Sequence, residues 1–363
     1  MTRPILTLPI GFAPAVVDKV ERMLEVLSAL RDDPVLRDEF VLHGGTALNI
    51  FHARAPRLSV DIDLMFVGAI DVGRMQAKRP EIDGRFRDVV SALGYAVQAT
   101  NDEHSGQTYR VKYPGDYLKV DISYLGRVAL LEPELRVCGF ADPQMVFPVL
   151  RLEELAAGKV KAMMARMAAR DLYDLFRLSS SRPRLFDDPL ARALAIRALC
   201  AADPFPFLRD PVVAVERFRD QSPEFTEPLL ATLPADEALD YGAMLDAIVH
   251  WLTPLSSLSS AEATFMEHLE KRAEYHPELL FDDWPTVLER AAVDPVMAWK
   301  TLNLQKWLTD SAGLDRRGLV KRPREERNAI IRTQAESVAD EYNRQIDHEW
   351  LDADLGERDN ADE

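Results

Sequence analysis

Apolar positions recur at helical spacing from Pro14 to Leu30, "PAVVDKVERMLEVLSAL", with no internal breaker, and predict a first helix. "EFVLH", residues 39–43, then reads as a short strand, followed by a Gly44-Gly45 turn and a short helix from Thr46 to about His52. "SVDIDLMFV", residues 59–67, alternates small or polar with apolar residues, the period of a strand with one buried face. Residues 71–94 contain a helix that stops at Gly94. Three strand-like runs follow, "YAVQAT", "QTYRVKYP" and "DYLKVDISYL", separated by His-Ser-Gly and by Pro-Gly-Asp, the latter a strong hairpin signal. "ELRVCGF" and "QMVFPVL" are two shorter strand candidates.

The pattern changes at Arg151, beyond which helical periodicity dominates, with proline-rich breaks near 182–189, 203–211 and 223–234. The expectation is an α+β fold. A mixed β-sheet core flanked by helices occupies residues 1–150, a helical domain 151–345, and an acidic, disordered tail 346–363.

A chain of 363 residues, 47% hydrophobic and 29% charged, is long enough for two or three packed units. No apolar run approaches the roughly 20 residues of a membrane helix. The first residues lack the basic start, apolar block and small-residue cleavage site of a secretory signal. Cys138 and Cys200 make neither a disulfide framework nor a four-ligand zinc site, so the expected compartment is the cytoplasm. A net charge of −16 argues against a protein that coats nucleic acid non-specifically, while leaving room for a local basic groove.

Asp61 and Asp63 fall on one face of their strand and Ile62 and Leu64 on the other. Two carboxylates this close repel, and a divalent cation between them removes that cost. Oxygen ligands favour hard ions such as Mg²⁺ (or Mn²⁺), which suits metal-assisted phosphoryl chemistry, with one ion or two about 4 Å apart. An isolated Asp-x-Asp is usually the solvated face of an edge strand. Asp121 changes the weighting, because it lies between Val120 and Ile122 in another apolar strand, where a carboxylate calls for a partner or a metal. Gly44 and Gly45 lead into a helix start whose free amides can face an anion, and small residues let a phosphate approach the backbone.

Further on, "LEELAAGKVKAMMARMAARDLYDLF" has no proline. If it is one helix, Arg166, Arg170 and Asp174 lie about −20°, +20° and +60° from Lys159 and form one polar stripe, whereas Lys161 points away. A charged stripe is equally well an ordinary solvated helix side.

"GGTAL", then "RLSVDIDL" with Asp61 sixteen residues after Gly45, then "EELAAGKVKAMMARMAARDLYDL", together resemble the nucleotidyltransferase toxins of the AbiEii/AbiGii type, from type IV toxin–antitoxin systems. These belong to the wider polymerase-β-like superfamily, and the resemblance covers residues 40 to about 180. It implies a nucleotidyltransferase core with a helical C-terminal domain, Mg²⁺, a nucleoside triphosphate as co-substrate and a separately encoded antitoxin. Several such toxins add nucleotides to the acceptor end of tRNA and block translation. The resemblance makes Asp61 and Asp63 the metal ligands, Gly44 and Gly45 the glycine motif, Lys159 a triphosphate contact, and Asp174 the acid of the "RDLYDL" block, with Arg170 and Asp171 beside it. Asp121 follows at superfamily level as a third acid. Thr46 stands where the superfamily carries serine and keeps a hydroxyl donor.

Arg57 and Ser59 are further candidates for contacting phosphate or orienting Asp61, and Arg166 and Arg170 for assisting Lys159. Basic runs at 322–327 and 76–87 are candidate tRNA surface, although each is mixed with acids in the manner of ordinary solvated surface. The competing readings are transfer to a protein or small-molecule hydroxyl, a non-catalytic binding module and, more weakly, a metal-dependent nuclease.

Overall fold

A computed structural model of the chain describes residues 3–7, 11–103, 105–166, 168–202, 210–221 and 223–310. Both the acidic tail and the basic run at 322–327 lie outside them.

The first half alternates strands and helices: β1 (Ile5–Leu6), α1 (Pro14–Asp32), β2 (Phe40–His43), α2 (Gly44–Thr46), β3 (Asp61–Phe66), α3 (Val72–Ala92), β4 (Ala96–Glu103), β5 (Gly106–Tyr113), β6 (Asp116–Ser123), β7 (Glu134–Cys138), β8 (Ala141–Asp142) and β9 (Met145–Val149). In α1 the buried residues Val20, Met23, Leu24, Leu27 and Leu30 fall on one side, as the sequence pattern requires. α2 begins at Gly44, two residues before the expected start at Thr46. It runs into a wider-turned π-helical segment, Ala47–His52, in which Ala53 N–H reaches five residues back to Leu48 O at 2.8 Å.

Seven strands form one mixed sheet in the order β4-β5-β6-β3-β2-β9-β7. β3 lies between β2, antiparallel, and β6, parallel, and β9 runs parallel to β2. Ile62, Leu64 and Phe66 of β3 are buried while Asp61, Asp63 and Met65 on the opposite face are half-buried, which is the alternation read from the sequence. The β5–β6 hairpin turns where Pro-Gly-Asp predicts, and β4 pairs antiparallel with β5. The ribbon that β1 makes with β8 has no signal in the sequence, since two residues per strand are too few to show a period.

From Leu152 onward the described chain is helical: α4 (Leu152–Ala165), α5 (Ala169–Ser181), α6 (Pro189–Cys200), α7 (Pro211–Glu216), α8 (Glu227–Leu230), α9 (Tyr241–Ser256), α10 (Ser260–Arg272), α11 (Glu278–Phe281), α12 (Pro285–Ala292) and α13 (Pro295–Asp310). Several proline-rich breaks become helix starts, with proline in the first turn of α6, α7, α8 and α12, where its missing N–H costs nothing.

The expected single helix from Leu152 through Phe176 is in fact two. Arg166 and Ala168 are both extended (φ −135°, ψ 145° and φ −141°, ψ 127°), so the chain bends between α4 and α5. Tertiary packing outweighs helix propensity here, because α4 packs on α6 while α5 packs on α9. One cluster of buried apolar side chains runs from Val20 to Leu304 and joins the sheet to the helices. Among the described residues no helix is long and apolar enough to cross a membrane.

Candidate active site

Strand register sets a polar row across the sheet. Asn101 pairs with Thr108, Thr108 with Asp121, Asp121 with Asp63, and Asp63 with His43, so all five share one face. Asp61, one step along β3, pairs with Lys119. His43, Asn101, Thr108 and Asp121 line a cavity of about 210 Å³ together with Gln107 and Ser123. Asp61 and Asp121 have different partners. Asp61 meets Arg170 Nη1 at 3.4 Å, while Asp121 accepts from the Thr108 hydroxyl at 2.7 Å and pairs with Lys119. Asp61, Asp63 and Asp121 supply only hard oxygen donors, from adjoining strands and one face, and this set fits Mg²⁺ or Mn²⁺.

Gly44 has φ +72°, a conformation that L side chains rarely adopt, and a Cβ there would lie 2.8 Å from Asp63 Cγ and collide with its carboxylate oxygen. Gly45 is closed in from the other side, since its Cβ would sit 2.7 Å from Ser59 Oγ and 3.0 Å from Arg57 Nη2. The two glycines thus let the start of α2 lie against both the acid strand and the Arg57–Ser59 loop. The amides of this first helical turn have no partners within the helix.

Behind the glycines is a buried ionic lattice. Arg57, 2% exposed, donates twice to the fully buried Asp174, Nε to Oδ1 and Nη2 to Oδ2, each at 2.7 Å. Lys159, 5% exposed, reaches Asp174 Oδ2 at 2.6 Å and Asp171 Oδ1 at 3.5 Å, and Arg166 grips Asp171 with bonds of 2.7 and 3.0 Å. Asn49 ties the lattice to the glycine turn by donating to Asp174 Oδ1 and to Gly45 O, both at 3.0 Å. Burial alone would raise the Asp174 pKa, but Arg57 and Lys159 outweigh it and hold the carboxyl well below the usual range.

The family model for the AbiEii nucleotidyl transferase toxin of type IV toxin–antitoxin systems matches residues 25–263. The chain belongs to the AbiEii family. Among solved structures it is similar in fold to MenT4, a nucleotidyltransferase toxin from Mycobacterium tuberculosis H37Rv. The TM-score is 0.53 and the identity 19%, over 77% of this chain and 93% of that one. No curated protein matches the chain. The matched region contains every sequence-predicted site residue, and family membership makes the chain a nucleotidyltransferase of the toxin class.

In this AbiEii chain the expected residues do not all stand alike. Asp61, Asp63 and Asp121 are half-exposed on one sheet face, and Arg170 reaches Asp61 from α5. Lys159 and Asp174 do meet, although not as a stripe on one helix: the bend at Arg166–Ala168 folds α5 back, and the contact is tertiary. Thr46 is turned inward and fully buried, its hydroxyl donating to Asp61 O at 2.5 Å, so it braces the acid strand rather than facing a ligand. Arg57 is likewise an anchor for Asp174, and Ser59 packs against Gly45.

Lys161, expected to point away, lies within electrostatic reach of His43, as Lys159 does. His43 and Asn49 had no motif to mark them. His43 only ends an apolar strand ahead of the glycines, and its place beside Asp63 follows from register. Burial lowers the His43 pKa below its ordinary value, with Lys161 and Lys159 acting in the same direction and Asp63 and Asp121 opposing them.

Proposed function

We propose that this toxin transfers a nucleoside monophosphate from an NTP to a hydroxyl at the 3′ end of tRNA in the cytoplasm, and so blocks translation. Asp61 and Asp63, with Asp121 as third acid, would hold Mg²⁺ or Mn²⁺, which supplies charge neutralisation for in-line displacement at the α-phosphate. The observation that carries the reading is the 3.4 Å approach of Arg170 to Asp61, which puts a guanidinium from the start of α5 against the acid strand.

Arg166 and Arg170, with side chains 50% and 43% exposed, would neutralise the β- and γ-phosphates. Lys159, almost buried between Asp171 and Asp174, contributes its charge from behind. The first amides of α2, at Gly44 and Gly45, would offer N–H groups to a phosphate oxygen. Asp174 positions Arg57, Lys159 and Asn49 without touching substrate. On this reading residues 1–150 carry the acids, and the helices of 151–345 complete the triphosphate and acceptor site. A separately encoded antitoxin is the expected partner of such a toxin.

The net charge of −16 favours a second acceptor class, a protein or small-molecule hydroxyl. Incubating the chain with each α-labelled NTP in the presence of total tRNA and total protein separates the two. Label in tRNA, removable by 3′ exonuclease, is the expected result. Label in protein alone overturns the tRNA acceptor.

A further inference from the structure

We propose that His268, Glu274 and His276 form a transition-metal site, with Zn²⁺ the ion their chemistry favours, at the turn from α10 to α11. Their ligand atoms all lie within 4.8 Å of one another, the one such trio of His, Cys, Asp or Glu among the described residues. The spacing H-x5-E-x-H is not a helical repeat. It works because α10 ends on Ala273 in the left-handed conformation (φ 52°), which brings residues 274–276 back over the last turn that holds His268.

Three observations point to a ligand rather than to a chance group of polar residues. His276 Nδ1–H donates to Glu278 Oε1 at 2.9 Å, while its Nε2 lies 3.6 Å from Glu274 Oε2. A carboxylate that accepts a hydrogen bond from Nδ1–H and so leaves Nε2 with the free lone pair is the usual support of a metal-bound histidine. Two ligand atoms bonded to one tetrahedral zinc at roughly 2.0–2.1 Å are about 3.3 Å apart, close to the separation found here.

His268 Nδ1 is buried and has no hydrogen-bond partner among the described residues, although a buried polar atom without one is costly. The two imidazoles stand edge to face with centroids 5.0 Å apart, so both rings reach one point without stacking. The α10 C-terminus adds its carbonyl dipoles in favour of a cation. Arg272 competes for the Glu274 oxygen at 3.7 Å and is largely exposed, a contact of small worth that a metal displaces readily.

Two borderline imidazoles beside one hard carboxylate differ from the all-oxygen set of the sheet acids and favour zinc over magnesium. The site would pin α11 to α10, which itself packs on α6 and α13. The test uses the full-length chain stripped with chelator and held in excess Mg²⁺, titrated with Zn²⁺ alone and followed by calorimetry and thermal unfolding. Wild type is expected to take up one Zn²⁺ and to melt at higher temperature with it. His268→Ala and Glu274→Gln should lose both effects, His276→Cys should keep them, and Asp63→Asn should bind as wild type does. No uptake by the wild type, or uptake unchanged in His268→Ala and Glu274→Gln, overturns the proposal. If an alanine variant is unfolded, the Glu274→Gln and His276→Cys pair decides.

Discussion

Replacing Asp174 by Asn keeps the shape of the side chain and removes only its charge. In the wild type three cations, Arg57, Lys159 and Arg166, share two fully buried carboxylates, Asp171 and Asp174. The variant leaves Lys159 and Arg166 on Asp171 and takes from Arg57 the carboxylate it pairs with, while Arg57 and Lys159 are still about as buried as core residues. Breaking a buried pair on one side costs about 3–5 kcal/mol. At about 2 °C per kcal/mol for a chain of this size, Tm should fall by roughly 6–10 °C.

Differential scanning calorimetry at pH 7 reads the change directly, and repeating it across pH adds a second check. The Asp174 pKa is lower folded than unfolded, so its contribution is fully present above the unfolded carboxylate range and is lost as pH falls through the folded value. The gap between wild type and Asp174→Asn should therefore narrow in strong acid. A Tm within 2 °C of wild type at pH 7 would refute the claim that this lattice holds α5 against the glycine turn.

Gly44→Ala places an L side chain at φ +72° against the Asp63 carboxylate, so about 1–3 kcal/mol of stability and most nucleotidyl transfer should be lost together, measured by melting and by labelled-NTP incorporation. Gly45→Ala pushes on Ser59 and Arg57 instead, and should cost a similar 1–3 kcal/mol with a smaller effect on activity. Asp61→Asn relieves a charge on a crowded acidic face that Arg170 meets at only 3.4 Å, so it should leave Tm unchanged or slightly raised while abolishing transfer. Burial pushes the Glu154 carboxyl up to about 7, against the opposing Leu131 and Leu130 amides it accepts from at 2.9 Å. The folded state then holds the extra proton between about 4.5 and 7, so stability falls as pH rises through that window, by at most about 1.4 kcal/mol per pH unit. Glu154→Gln should flatten the slope.

Much of this was legible because period and chemistry agree locally. Asp61 and Asp63 alternate with Ile62 and Leu64, and the strand obeys; the β5–β6 hairpin follows its turn residues. What sequence could not give is decided by contacts far apart in the chain. Lys159 and Asp174 were linked through the angle of one continuous helix, whereas the structure bends the chain between them and joins them by packing. Arg57 and Asp174, separated by 117 residues, carry no mutual signal, so Arg57 reads from sequence as a phosphate contact. Thr46 shows a hydroxyl beside a glycine motif, and only the fold reveals that the hydroxyl faces Asp61 O. His268, Glu274 and His276 fit no familiar spacing because a left-handed residue, not a repeat, brings them together.

The central claim is that the acids of β3 carry nucleotidyl transfer. Asp63 is the residue on which to test it, since no hydrogen bond fixes its carboxylate among the described residues and it pairs in register with both His43 and Asp121. The decisive measurement is transfer of α-labelled nucleotide to tRNA by wild type and by Asp63→Asn, with Tm recorded on the same samples. The account predicts label with the wild type, loss of it by a factor of a hundred or more in the variant, about 3 kcal/mol of transition-state stabilisation, and an unchanged melt. Undiminished labelling by a folded Asp63→Asn would contradict it.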